Sequence, residues 1–61
     1  MKKFYVFRRH SDGYVNVLKA RSRRRAKKRL PAAGFDIVSE HVDWRDAMSS
    51  VLRETVRGIP D

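Results

Sequence analysis

Sixty-one residues, 36% of them charged with a net charge of +8, allow one small domain (residues 1–61) and no more. With no cysteine there is no disulfide or thiolate metal site to add stability, and the composition fits a reducing cytoplasm. No apolar run approaches the ~18 residues of a membrane span, and Met1-Lys2-Lys3 leads straight into Phe4-Tyr5-Val6-Phe7 without a signal-peptide core. The expectation is a soluble cytoplasmic protein with no membrane partner.

Residues 3–9 (KFYVFRR) are aromatic and β-branched, which predicts a strand. Ser11-Asp12-Gly13 supplies a turn, and residues 14–19 (YVNVLK) predict a second strand, so that 3–19 read as a β-hairpin. Its register is open. A two-residue Asp-Gly turn sets Phe7 opposite Leu18, a three-residue Ser-Asp-Gly loop sets Phe7 opposite Val17, and the one-residue slip exchanges faces.

Ser22 is the expected N-cap of a helix running through Arg23 to Leu30. Its apolar stripe is narrow, with Ala26, Leu30 and Ala33 at i, i+4 and i+7. Pro31 disfavours helical geometry at Leu30, so the helix kinks there or ends near Arg29 or Leu30, with Gly34 as the natural C′ residue. Residues 35–42 (FDIVSEHV) predict a third strand. Asp43 then caps a helix over 44–57, stopped by Gly58 and Pro60. In it Trp44, Ala47, Met48, Val51, Leu52 and Thr55 recur at helical spacing. Trp44, Met48, Val51 and Leu52 are the expected core contribution, and Arg45, Ser49, Ser50, Arg53 and Glu54 the outward face.

The order β-β-α-β-α indicates an α+β fold: a three-stranded mixed sheet with both helices packed on one face. A right-handed crossover through the first helix brings the third strand parallel to the second. Strand order 2-1-3 makes the first strand central, which suits the apolar residues on both of its faces from Phe4 to Phe7.

Charge is distributed unevenly. Residues 1–30 hold twelve Lys/Arg against Asp12 alone, a balance of +11, while residues 31–61 hold three arginines against six acids, −3. Arg21, Arg23, Arg24, Arg25, Lys27, Lys28 and Arg29 place seven cations in nine positions. On about 14 Å of helix these repel one another at i,i+3 and i,i+4, and folding alone gives no reason to accept that. Phosphate contacts relieve it by releasing counterions, and the arginine excess suits bidentate recognition. The run resembles the arginine-rich motifs that enter RNA grooves as helices.

Tyr5, Phe7 and Tyr14 flank Arg8, Arg9 and Lys19 on the hairpin. Exposed on a sheet face these aromatics stack bases; otherwise they are core or a dimer interface. His10, Asp12, Glu40, His41 and Asp43 are the only residues suggesting a metal or catalytic group, and none shows ligand spacing. With no Gly-rich phosphate loop, nucleophile elbow or carboxylate pair, neither catalysis nor a cofactor or metal is expected.

The sequence therefore points to a small basic nucleic-acid-binding protein, monomeric or weakly dimeric, with RNA ahead of DNA. The arginine-rich helix would lie on phosphates, aided by Lys2, Lys3, Arg8, Arg9 and Lys19. Few uncharged polar side chains accompany the arginines, so shape-based or non-specific binding is expected. The alternative is an accessory or inhibitory protein, such as a phage-type regulator or assembly factor, that docks on an acidic surface of a larger complex.

Overall fold

The computed structural model describes residues 1–30 and 34–57. Two strands, β1 (Lys3–Arg9) and β2 (Val15–Ala20), precede helix α1 (Arg23–Arg29); strand β3 (Phe35–His41) and helix α2 (Trp44–Arg57) follow. The sheet order is β2-β1-β3, which makes β1 central as expected from its apolar run. Tyr5 and Val6, adjacent on β1 and pointing to opposite faces, are both almost fully buried. The fold is α+β.

Two finer expectations are corrected. Both neighbouring pairs are antiparallel, so the sheet is not mixed: β1 separates the two strands that run the same way. The helices also lie on opposite faces. Ala26 of α1 packs against Tyr5, Ala20, Leu18 and Ile37. Ala47 of α2 packs with Val6 and Val15, joined by Phe4, Val17, Val38 and Val51. These two sets alternate along β1 and β2, and alternate residues of a strand face opposite ways. Because β1 is apolar on both sides, each face needs its own cover.

The hairpin register matches neither alternative. Phe7 pairs with Asn16, and the backbone bond between Arg9 and Tyr14 closes a loop of four residues, His10 to Gly13. The Arg9 N–H donates to the Tyr14 carbonyl at 2.8 Å, and the Gly13 N–H to the Arg9 carbonyl at 2.8 Å. Gly13 holds φ 74°, a conformation that glycine adopts without strain. The Asp12 carboxylate accepts from the Tyr14 N–H at 3.0 Å, an Asx-type bond that lengthens the loop.

On the other side of β1, Val6 pairs with Ser39 and Phe7 with Ile37, which leaves Val38 as the extra residue of a bulge. The bulge turns two successive residues toward α2. Val38 joins the Val6 cluster, and Ser39 Oγ lies 2.9 Å from Ser50 Oγ.

That contact belongs to a third correction. The buried face of α2 runs through Ala47, Ser50, Val51 and Glu54, whereas Trp44 is 52% exposed and Leu52 65%. Small residues at 47 and 50 let the helix approach the sheet, and Glu54 is drawn down by an ion pair with Arg8. Trp44 instead meets Phe4 edge-on at the rim, with ring centroids 5.4 Å apart. At the start of α2 the Asp43 side chain accepts from the Arg45 N–H at 2.9 Å, the expected cap. Pro31, Ala33, Gly58 and Pro60, which entered the sequence expectations, lie outside the described residues.

Candidate nucleic-acid interface

Helix α1 starts where the sequence indicates. Ser22 takes extended geometry (φ −153°, ψ 161°), and its hydroxyl accepts from the Arg25 N–H at 3.2 Å. The helix ends at Arg29, and Leu30 is extended (φ −93°, ψ 149°), as a residue before proline prefers. Within these seven residues Ala26 alone is buried, at 0% exposure, and every cation is exposed.

Ala26 fixes the orientation of the rest. At 100° per residue the six helical cations fall into three i,i+4 rows, Arg23/Lys27, Arg24/Lys28 and Arg25/Arg29. The middle row points directly away from Ala26, and the other two flank it. Arg29 also donates from Nη1 to the Lys19 carbonyl at 2.5 Å, which ties the last turn of α1 to β2. On that flank Lys2, Lys19, Ala20, Arg21, Arg25 and Arg29 surround an open depression of about 380 Å³. Its second neighbour, about 370 Å³, is lined by Arg25, Lys28 and Arg29.

Lys2 and Lys19 reach this site for a topological reason. Antiparallel pairing sets Lys3 opposite Ala20, so the start of β1 lies beside the residues that lead into α1. Lys19 also holds its ammonium 5.6 Å from the Phe4 ring centroid.

The remaining predicted cations stand apart. Arg8 and Arg9 lie at the hairpin-loop end of β1, roughly 20 Å of strand from Lys2. Arg8 pairs with Glu54. Arg9 grips Asp12 through Nε (2.9 Å) and Nη2 (2.5 Å) and lies over the Tyr14 ring, 5.0 Å from its centroid. The Arg9 hydrogen bond, then the Tyr14 N–H, pulls the Asp12 carboxyl down to about 2, and the same carboxylate raises the Arg9 guanidinium. Lys3 pairs with Glu40 at 3.3 Å. Among the described residues, no salt bridge involves any of the seven cations from Arg21 to Arg29.

Comparison of the chain with protein-family models, curated proteins and solved structures finds no match.

The three aromatics do not form a platform. Tyr5 is 2% exposed in the cluster beneath α1 and has no face to offer a base. Phe7 is half-buried beside Phe35, with centroids 5.7 Å apart. Tyr14 is 47% exposed but sits at the far end of the hairpin, its hydroxyl accepting from Asn16 Nδ2 at 2.6 Å.

The histidines and acids are likewise dispersed. His10 Nε2 lies 2.5 Å from Asp36 Oδ2 at the loop end, while His41 Nε2 lies 2.8 Å from Ser39 Oγ at the opposite end of the sheet. Asp12, Glu40 and Asp43 are engaged by Arg9, Lys3 and the α2 cap. Among the described residues no three such groups gather as a metal site, and no helix is long and apolar enough to cross a membrane.

Proposed function

We propose that the protein binds nucleic acid, without catalysis, through the cations of α1 and the depression beside it. One observation carries this reading: the densest charge in the chain lacks acidic partners among the described residues, while Lys3, Arg8 and Arg9 elsewhere are paired. Like charges at i,i+4 destabilise a helix by roughly 0.2–0.5 kcal/mol per pair, and α1 offsets this with a single buried alanine. Such a surface suits a polyanion, whose phosphates replace water and counterions around the guanidinium groups. Lys2, Lys19, Arg21, Arg25 and Arg29 converge from three segments on one wall, which suits a phosphate group better than scattered surface charge would.

Titration of labelled single-stranded RNA, duplex RNA and duplex DNA over roughly 50–500 mM salt tests the proposal. Five to seven neutralised phosphates give a slope of log K against log salt of roughly −4 to −6. Arg23→Ala/Arg24→Ala/Arg25→Ala keeps the fold, because only the backbone of Arg25 serves the cap, and weakens binding more than tenfold. A shallow slope, or binding that vanishes above about 100 mM, would remove the proposal and turn attention to an acidic protein surface.

A further inference from the structure

We infer that the ligand is duplex DNA, with α1 seated in the major groove; this rests on the nucleic-acid reading above and names its substrate class. The argument begins with the cation rows. Spaced at 100° per residue, they cover roughly 240° of the helix circumference and leave only the Ala26 side for docking. A single strand or a flat polyanionic surface meets one row and the edge of another. Only a groove with phosphates on both walls meets the two flanking rows at once, while the middle row faces its floor.

The rows have fixed directions. The Ser22 cap holds one end of α1, Ala26 is locked beneath its middle, and the Arg29–Lys19 bond holds the other end. Single-strand binding also calls for exposed aromatic faces between the cations. Here Tyr5 is buried under α1, Tyr14 lies at the opposite end of the hairpin, and Phe4 and Trp44, packed edge-on beside the Lys19 ammonium, lie on the face of the sheet that α2 covers. Between the two duplexes, the major groove of B-DNA is about 12 Å wide and about 8.5 Å deep and admits a helix. That of A-form RNA is deep and narrow.

Each row then acquires a role. Arg25, with Arg21 and Lys2 around the depression, takes phosphates of one strand. Arg23 and Lys27 take those of the other. Arg24 and Lys28 reach the floor, where a guanidinium matches the O6 and N7 acceptors of guanine.

The test uses the whole protein with one guanine-containing sequence of about two helical turns, supplied as duplex DNA, duplex RNA and each single strand. Affinity is read by fluorescence anisotropy, and groove occupancy by protection of guanine N7 from dimethyl sulfate. Duplex DNA is expected to bind roughly tenfold more tightly than the other forms, with N7 protected. Replacing guanine by 7-deazaguanine weakens the parent protein roughly fivefold and leaves Arg24→Ala/Lys28→Ala, already weaker, unaffected. Equal or tighter binding of single strands or duplex RNA would overturn the inference, as would reactive N7 positions in a saturated duplex. Either result leaves the nucleic-acid reading standing. Failure to bind any of these ligands removes both.

Discussion

Arg8 and Arg9 are neighbours in sequence, yet strand alternation sends them to opposite faces of the sheet. Arg8 meets Glu54, whose side chain is only 12% exposed. Removing the guanidinium strands a largely buried carboxylate, with Arg57 at 3.8 Å as its remaining partner. Arg8→Ala should therefore lower stability by about 2 kcal/mol, read from the denaturant midpoint. Its affinity for nucleic acid should stay within about twofold of the parent, since distant sites act independently. A large affinity loss at unchanged stability would return Arg8 to the interface. Arg9 acts locally. It holds the Asp12 carboxyl at about 2, below the ordinary 3.8, so its contribution is complete above about pH 4 and is lost as pH falls toward 2. Asp12→Asn should lose this acid-dependent part: the stability gap between parent and variant narrows below pH 4. Parallel curves across that window would show that the turn carries no such linkage.

At the scale of elements, the orientation of α2 has direct consequences. Because Ala47 is at 0% exposure against Val6 and Val15, Ala47→Leu should overpack the interface and cost about 1–3 kcal/mol. Leu52→Lys, at a position 65% exposed, should change stability by less than about 0.5 kcal/mol. The thermal melt of Leu52→Lys decides between this face and the one that helical periodicity favours, since Ala47 belongs to both. The sequence reads correctly where the information is local: the Ser22 and Asp43 caps, the break before Pro31, the apolar run that centres β1. It misleads where two elements must meet. Periodicity places Trp44 and Leu52 inside, but it carries no sign that Ser39 seeks Ser50 or that Arg8 seeks Glu54 across the sheet. The hairpin register escapes for a similar reason, since Asp-Gly spacing does not reveal that the Asp12 side chain closes a four-residue loop. The site divides along the same line. Arg21 to Arg29 are legible as a run along one helix and the residues leading into it, whereas the gathering of Lys2 and Lys19, and the departure of Arg8 and Arg9, follow from strand pairing.

For the molecule as a whole, charge would set stability and the proposed binding in opposition. The net charge of +8 is concentrated at one end of the sheet, where α1 follows β2 and Lys2 precedes β1. Self-repulsion there weakens the folded state at low ionic strength, and salt screens it within a Debye length of about 10 Å at 0.1 M. The exposed pair Lys3–Glu40 loses some attraction under the same conditions, but isolated surface pairs contribute at most about 1 kcal/mol. The melting temperature should therefore rise between roughly 10 and 200 mM salt, while affinity for nucleic acid falls over the same range. Arg24→Ala/Lys28→Ala separates the two trends. Losing the middle row removes like-charge neighbours on both sides and adds two strong helix formers, so it should melt higher than the parent at low salt and respond less to added salt. It should also bind more weakly, with a shallower salt slope. A variant that melts lower and still binds as the parent does would mean that these cations support the fold rather than a ligand. The paired measurement, melting and binding on one salt axis, thus tests whether the repulsion in α1 is retained for the phosphates it would contact.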